Sequence, residues 1–280
     1  MRTLWKGAVS FGLVNIPVKM YAATEKKDIK FNYLHRECMS PVEYHKFCPR
    51  CGREISSEEI VRGYEYQKGN YVVINEEDLE RIPLNNTKTI DILDFVDISQ
   101  VDPVFFDKSY YLEAAAGGEK AYALLIEAMN KTGKVAIARV IIRSKQSLAA
   151  LRVKDQVLLM ETIFYPDEIR SPASLNPGLD GAKLHENEIK MAVNLIENLS
   201  VNFEPEKYHD EYRQALRELI DAKIVGKEVV APTVAETGKV VDLMEALQAS
   251  VKLAEENRQK SKSGETKASK KRTRKTKTGS

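Results

Sequence analysis

The stretch KVAIARVIIRSKQSLAALRVKDQVLLMETIFY, residues 134–165, carries the strongest fold signal in the chain. It contains two runs of β-branched and apolar side chains, KVAIARVIIRS at 134–144 and VLLMETIFY at 157–165. Such side chains are enriched in strands because they pack well on a pleated surface. The stretch therefore predicts two strands.

Two segments upstream carry the same kind of signal. YEYQKGNYVVI has a turn at residues 68–70 between β-rich arms, which predicts a hairpin. TKTIDILDFVDI alternates through Ile90 and Ile92 and then slips at Leu93, which is typical of a β-bulge. Residues 1–170 are therefore expected to be mainly β.

One helix is predicted among these strands. GEKAYALLIEAMNKTGK spaces Tyr122, Leu125, Ile126 and Met129 at helical intervals and ends at Gly133, a residue suited to a helix C-terminus. Several strands with one helix predict a β-barrel or a β-sandwich over residues 1–170.

The C-terminal part of the chain has a different pattern. A linker at 171–183, SPASLNPGLDGAK, contains two prolines and two glycines. It precedes three amphipathic segments, HENEIKMAVNLIENLSVNF, EKYHDEYRQALRELIDAKI and KVVDLMEALQASVKLAEENRQ, which predict helices within residues 184–257. Their apolar stripes are larger than one short helical hairpin would hide, so we expect part of them to be buried against a second chain. The residues predicted at this dimer interface are Leu195, Leu199, Tyr212, Leu216 and Leu219.

Charge is unevenly distributed along the sequence. The net charge is only +2, but residues 258–280 hold ten Lys or Arg and one acid. Residues 184–257 carry a net −7, and residues 1–183 are neutral overall. The basic segment has no large apolar residue, so we expect a disordered tail that binds a polyanion, with a purely solubilising tail as the alternative.

Composition indicates a soluble protein, because 43% of residues are hydrophobic and 30% are charged. The N-terminal segment lacks the layout of a signal peptide, and no apolar run approaches the roughly 20 residues of a membrane helix. We therefore expect a cytoplasmic protein whose thiols stay reduced.

All three cysteines lie in LHRECMSPVEYHKFCPRCGREI, residues 34–55. A structural zinc site needs about four sulfur or imidazole ligands, commonly as two pairs on tight turns. His35-x-x-Cys38 and Cys48-x-x-Cys51 are two such pairs, and CPRCG has the Pro and Gly of a knuckle turn that presents backbone amides to a thiolate. The spacing predicts a structural zinc ion bound by these four residues.

Three alternatives to that site remain. His45 could replace His35 as the fourth ligand, although the x-x spacing favours His35. The Cys-x-x-Cys could also be a reduced pair with an incidental third thiol. A catalytic thiol pair is the third reading, but no thioredoxin-like βαβ context surrounds it.

Catalytic motifs are nearly absent from the sequence. It contains no complete phosphate-binding glycine loop, no His-Glu-x-x-His and no Gly-x-Ser-x-Gly. Only four histidines are available for acid–base or metal-hydrolase chemistry, and two of them lie in the cysteine segment. We therefore expect a binding protein without catalytic residues or a nucleotide cofactor.

Four long motifs resemble one known family. They are WKGAVSFGLVNIPVKMY at the N-terminus, DPVFFDKSYYLEA at 102–114, AALRVKDQVLLMETIFYPDEIR at 149–170 and YHDEYRQALRELIDAKI at 208–224. The motifs occur in the same order as in prokaryotic Ku, the DNA-end-binding family of bacterial non-homologous end joining. The chain resembles this family from residue 3 to about 255.

The resemblance implies a β-barrel core, a narrow bridge over DNA at about 22–70 and a helical dimerisation arm. Two copies would close a ring through which a duplex end is threaded. Members of this family hold the sugar-phosphate backbone, ignore base sequence, hydrolyse no nucleotide and recruit an ATP-dependent ligase, ligase D. A bacterial, cytoplasmic and nucleoid-associated location follows.

The cysteines fall within the predicted bridge. A thin span with little core of its own could be held in shape by a metal, because metal-binding energy becomes folding energy. Eukaryotic relatives do without such a cluster, so the zinc prediction rests on ligand spacing alone.

Sequence-independent binding requires Lys and Arg near phosphates. Residues 19–68 offer ten bases against eight acids, and VAIARVIIRSKQ places Arg139 and Arg143 on one strand face, continued by Lys145. The predicted DNA contacts are Lys19, Lys26, Lys27, Lys30, Arg36, Lys46, Arg50, Arg53, Arg139, Arg143, Lys145 and, in the tail, Lys270, Lys271, Arg272, Arg274 and Lys275. The competing interpretation is a zinc-ribbon adaptor or regulator that binds nucleic acid through its tail and has no ring topology.

Overall fold

A computed structural model describes residues 1–81, 88–142, 145–175, 184–226, 244 and 246–253. The chain divides into two compact units, Met1–Pro172 and Ala173–Ser280. The first unit contains the strands β1 (Trp5–Phe11), β2 (Val14–Ala22), β3 (Phe47–Cys48), β4 (Arg53–Glu54), β5 (Arg62–Gln67), β6 (Asn70–Ile74), β7 (Thr89–Val96), β8 (Phe106–Ala114), β9 (Val135–Ile142), β10 (Lys145–Lys154) and β11 (Val157–Ile163). The helices are α1 (Glu76–Glu80) and α2 (Glu119–Thr132) in the first unit, and α3 (Glu186–Leu199) and α4 (Glu211–Ile224) in the second.

A closed barrel of seven strands forms the first unit, in the order β1-β2-β8-β11-β10-β9-β7. Neighbouring strands are antiparallel except β1 and β7, whose parallel pairing of Val9 with Ile90 closes the barrel. The prediction of a mainly β fold is confirmed, and the barrel is the architecture adopted rather than the sandwich.

Alternating side chains fill the barrel. On β2, Ile16, Val18 and Met20 are at most 1% exposed, whereas Lys19 between them is partly exposed. Period-2 burial of this kind is what a pleated strand with one buried face produces. The fully buried large side chains are Val9, Ile16, Val18, Met20, Ile90, Leu112, Val140, Leu151, Leu158 and Met160.

Helix α2 packs against the barrel core through Tyr122, Leu125 and Met129, all buried. It ends at Gly133, whose φ of 65° is the left-handed conformation that glycine adopts at helix C-termini. Both the helix and its end agree with the sequence pattern.

The predicted irregularity in β7 is present. Its pairing with β9 shifts register between Ile92 and Asp94, so Leu93 is the extra residue of a bulge. The side chain of Leu93 is 47% exposed, which explains why the apolar alternation breaks there.

Strand β10 was not predicted from the sequence, although it pairs with both β9 and β11. Its centre contains Ala149 and Ala150, and alanine has a low strand propensity. Pairing with β9 and β11 and burial in the folded unit stabilise this strand despite that low propensity, because both alanines are almost fully buried.

The segment between β2 and α1 leaves the barrel and has no core. It contains two separate two-stranded sheets, β3-β4 and β5-β6. No residue from Ala22 to Ile74, all of which the structure describes, is buried. The predicted hairpin at 68–70 corresponds to β5-β6.

The described part of the second unit is mainly helical. Helices α3 and α4 match the first two predicted amphipathic segments, and Phe203 stacks on Tyr208 between them with ring centroids 5.7 Å apart. Residues 246–253, within the third predicted helix, are helical. The predicted tail at 258–280 lies outside the described residues.

Candidate functional site

The exposed segment from Ala22 to Ile74 contains all three cysteines and seven of the sixteen predicted DNA contacts. Without a core, its shape depends on local hydrogen bonds. Arg53 on β4 makes two hydrogen bonds to the Glu59 carboxylate, and Glu59 also accepts from the backbone N–H of Ser56 at 2.9 Å. These contacts stabilise the turn that follows β4.

The first predicted ligand pair lies on one tight turn. His35 Nδ1 lies 3.1 Å from Cys38 Sγ, and the backbone N–H of Met39 donates to the His35 carbonyl at 2.8 Å. Hydrogen bonds from Ser40, and then from His35, lower the pKa of the Cys38 thiol to about 7. Cys38 is therefore a readily formed thiolate held beside an imidazole.

The second pair lies on the turn between β3 and β4. The backbone N–H of Gly52 donates to the Cys48 carbonyl at 2.9 Å, and Gly52 has a φ of 66°. Hydrogen bonds from the backbone and thiol of Cys51 lower the pKa of Cys48, with a further contribution from the Arg50 amide. This is the knuckle geometry expected from CPRCG. The same contact with Cys48 raises the pKa of Cys51.

The two pairs do not converge on one metal position. Among the described residues, no cluster of three or more His, Cys, Asp or Glu side chains is arranged to hold a metal ion. Each pair separately has the soft donor chemistry and short spacing of half a zinc site. Zinc binding through His35, Cys38, Cys48 and Cys51 therefore remains a prediction.

His45, the alternative fourth ligand, is directed to carboxylates. Its Nδ1 lies 3.0 Å from Glu54, and its Nε2 lies 3.8 Å from Glu43. Both ring nitrogens therefore face acidic groups, which favours His35 over His45 as a partner for the thiols.

Several predicted DNA-contacting cations are paired with acids. Lys19 lies 3.8 Å from Glu113, and Lys145 lies 3.4 Å from Glu168. The other two pairs are Lys27 with Glu25 and Arg53 with Glu59, each at 2.5 Å. These surface pairs are weak, but each acid reduces the local positive potential that a phosphate meets.

Other predicted cations are more available. Lys46 donates a hydrogen bond to Ser57 Oγ at 3.3 Å, and this partner is a neutral hydroxyl. Within the described ranges, no ion pair involves Lys26, Lys30, Arg36, Arg50 or Arg139. Arg139 on β9 lies opposite Asp91 on β7 in the ladder. Arg143 and the tail cations Lys270, Lys271, Arg272, Arg274 and Lys275 lie outside the described residues.

The predicted interface residues on the helices are largely uncovered. Leu199 is 60% exposed, Tyr212 77% and Leu219 36%, while Leu195 and Leu216 are half-buried. Neighbouring apolar residues on α3, such as Ile189 and Ile196, are also exposed.

One feature of the exposed segment was missed at the sequence level. Hairpin β5-β6 presents Tyr64, Tyr66 and Tyr71, each at least 59% exposed, beside Arg62. The signal was available, because a tyrosine at every second position of YEY places the two rings on one strand face.

No helix among the described residues is long and apolar enough to cross a membrane.

Comparison with known proteins gives a consistent result. A family model of Ku, described as the Ku70/Ku80 beta-barrel domain, matches residues 10–191. Three similar proteins are named Non-homologous end joining protein Ku. The one from Symbiobacterium thermophilum is 54% identical over 92% of this chain, which spans 64% of that relative's length. The one from Desulfitobacterium hafniense is 49% identical, covering 92% of this chain and 90% of the relative. The Bacillus subtilis protein is 49% identical over 90% of this chain and 82% of its own length.

Proposed function

Because this chain belongs to the Ku family, we propose that it binds the ends of double-stranded DNA in non-homologous end joining. Binding is independent of base sequence and involves no catalytic step. The observation that carries this proposal is the match of the closed barrel's sequence to the Ku barrel, together with relatives named for end joining.

The segment from Ala22 to Ile74 is the proposed bridge over DNA. It leaves the barrel between β2 and α1 and buries none of its residues, as expected of a span that contacts a ligand. Lys26, Lys30, Arg36 and Arg50 lie on it without ion-pair partners in the described structure. Such cations suit phosphate contacts, which give affinity without sequence preference.

A homodimer completes the proposed ring. The exposed apolar side chains on α3 and α4, including Leu199, Tyr212 and Leu219, support burial against a second copy. The isologous contact of a two-fold dimer would bury the same residues on both chains.

Zinc is the proposed stabiliser of the bridge. Two turns already present His35 beside Cys38 and Cys48 beside Cys51. Bound zinc would link the two turns, and its binding energy would add to the folding energy of a segment that has no core.

The basic tail and the acidic helical region have separate proposed roles. Residues 258–280, with ten Lys or Arg, add non-specific attraction to DNA. The helical region at 184–257, net −7, is suited to protein contacts, and the proposed partner is the ATP-dependent DNA ligase D. The protein would act in the bacterial cytoplasm at the nucleoid.

The test compares linear and closed-circular duplexes of the same sequence. A ring should load on the linear DNA, remain on it after ligation into a circle and fail to load on a preformed circle. Equal binding to both forms would instead support the zinc-ribbon adaptor that binds through its tail. A tail-deleted variant measured in parallel separates the contribution of the tail from that of the ring.

A further inference from the structure

Hairpin β5-β6 presents two chemically different faces to solvent. Residues directly opposite each other in an antiparallel pair share a face, as do residues two apart along one strand. Tyr64 pairs with Val72 and Arg62 pairs with Ile74, so these four residues form one face, which we name the Tyr64 face. A register shift interrupts the alternation at Tyr66, so the pairing fixes the face of Tyr64 but not that of Tyr66.

The opposite face holds the acid of the hairpin. Glu65 pairs with Tyr71 there and lies two residues from Gly63. A methyl group at Gly63 would lie 3.6 Å from Cδ1 of Tyr71, so that ring packs beside a position without a side chain. The Glu65 carboxylate accepts a hydrogen bond from the backbone N–H of Gly69 at 2.7 Å. It is the only acid within residues 62–74, and it lies away from Tyr64.

The Tyr64 face combines an open aromatic ring with a free cation. The side chain of Tyr64 is 67% exposed, and Arg62 is exposed beside it. In the described part of the chain, no ion pair involves Arg62 or Lys68, the cation of the hairpin turn. Two residues along a strand span about 6.6 Å, so one nucleotide can place its base on the ring and its phosphate at the guanidinium.

We propose that the Tyr64 face is a stacking site for an unpaired nucleotide in a single-stranded overhang at a DNA end. This site rests on the proposed function, because it concerns the ends that the protein binds. A base inside a duplex is covered on both sides by its neighbours, whereas an unpaired base has a free face for the ring. Every base has such a face, so stacking is tolerant of base sequence. Arg62 supplies the phosphate contact.

A protein partner is the competing occupant, because tyrosine and arginine are also enriched in protein interfaces. Charge favours nucleic acid: both cations of the hairpin are without ion pairs in the described structure, and its acid is on the other face. Area favours it as well. A specific protein interface buries about 800 Å² on each partner, which is more than one ring and two aliphatic side chains provide.

The experiment measures the affinity of the full-length protein for two duplexes of the same sequence, one blunt and one with a short single-stranded overhang. The overhang should raise the affinity by about fivefold or more, the usual effect of stacking one base on an aromatic ring. Tyr64→Leu should abolish this gain and leave the affinity for the blunt duplex unchanged. Tyr64→Phe should retain the gain, because it keeps the ring. An overhang gain that persists in Tyr64→Leu, or no gain in the unsubstituted protein, would overturn the proposal.

A fluorescent base reports the stacking directly. The emission of 2-aminopurine placed in the overhang should fall when the unsubstituted protein or Tyr64→Phe binds, because stacking on a ring quenches it. Tyr64→Leu should bind the DNA without this quenching. Equal quenching by all three proteins would assign the contact to another residue and would contradict the site.

Matched variants test the choice of face and the role of the cation. Tyr71→Leu removes an exposed ring from the opposite face and should leave the overhang gain intact. Arg62→Gln should flatten the slope of log affinity against log salt by about 0.7, the value for one phosphate contact on a single strand, with the overhang duplex only. Equal losses in Tyr64→Leu and Tyr71→Leu would refute the assignment to one face.

The blunt duplex separates this site from the proposed function. Binding to blunt linear DNA in preference to a closed circle tests the proposed function, and the same measurement on Tyr64→Leu shows that the variant is folded. If that preference is present and the overhang gain does not depend on Tyr64, only the stacking site is wrong. Equal binding to linear and closed-circular DNA would contradict both. A loss of affinity in Tyr64→Leu that is the same for blunt and overhang duplexes would place the ring on the duplex and overturn the site.

Discussion

The hydroxyl of Tyr122 on α2 accepts a hydrogen bond from the backbone N–H of Leu158 on β11, with nitrogen and oxygen 2.9 Å apart. The same hydroxyl donates to the Leu112 carbonyl on β8 at 2.5 Å. One side chain therefore ties the helix to two barrel strands and satisfies two buried backbone groups.

Removing that hydroxyl should destabilise the barrel. Tyr122→Phe leaves a buried N–H and a carbonyl with one partner fewer, and such losses cost about 1–3 kcal/mol. Chemical denaturation followed by the circular dichroism of the β structure measures the change. Tyr64→Phe, at a site that is 67% exposed, is the control and should have no measurable effect.

Alkaline pH should act on the same group. Burial raises the pKa of Tyr122 above its ordinary value. The folded state therefore favours the neutral hydroxyl. The stability that this hydroxyl contributes is fully present below its pKa in the unfolded chain, about 10, and is lost as the pH rises through its higher pKa in the folded protein. The free energy of unfolding, measured between about pH 9 and 11, should decline less steeply in Tyr122→Phe than in the unsubstituted protein. An identical decline in both proteins would show that ionisation of Tyr122 is not its cause.

Zinc should be present at about one ion per chain, bound by His35, Cys38, Cys48 and Cys51. Elemental analysis of freshly purified, reduced protein tests this, and absence of stoichiometric metal would refute it. Cys48→Ser should lose the metal and weaken DNA loading while the dimer persists. His35→Ala and His45→Ala are a matched pair, because only the former should lose zinc if His45 remains with Glu54.

Charged substitutions on the apolar stripe of α4 should break the dimer. Leu216→Glu and Leu219→Glu place a carboxylate where we expect burial against the second chain, so sedimentation should show monomers or misfolded protein. Gln214→Glu adds the same charge to the same helix at an exposed position and should leave the dimer intact. A Leu219→Glu dimer of normal mass and DNA affinity would exclude the assigned interface.

Unpaired cations of the proposed bridge should contribute more to DNA binding than paired ones. Arg36→Ala or Arg50→Ala removes one phosphate contact and should reduce the slope of log affinity against log salt by about 0.9. Lys27→Ala is the comparison, because Glu25 already lies 2.5 Å from Lys27, and its slope should change less. Equal changes in the salt slope for the paired and unpaired cations would show that an ion pair with a carboxylate does not prevent a cation from contacting phosphate.

Deletion of residues 258–280 should separate affinity from end preference. Ten cations can neutralise about five or more phosphates, each contributing a slope of about −0.9. Affinity should therefore fall and the salt dependence should flatten, while the preference for linear over closed-circular DNA persists. Loss of end preference with an unchanged salt slope would reverse the roles assigned to tail and ring.

Local features were predictable because they depend on neighbouring residues. The bulge at Leu93 interrupts an apolar alternation, and Gly133 ends α2 because a left-handed residue is needed there. The turn at CPRCG likewise follows from its own Pro and Gly. The four long sequence motifs, which occur in the same order as in Ku proteins, were also sufficient to identify the family.

Tertiary structure alone decided which distant segments meet. The parallel pairing of Val9 with Ile90 closes the barrel, and local periodicity cannot specify it because each strand pattern reports only which face is buried. Strand β10 exists because it pairs with both β9 and β11 and because its alanines are almost fully buried. The same limit applies to the cysteines. The ligand spacing predicts the pairs of His35 with Cys38 and of Cys48 with Cys51, and each pair shares one turn. The path between the two turns depends on contacts that neither turn encodes.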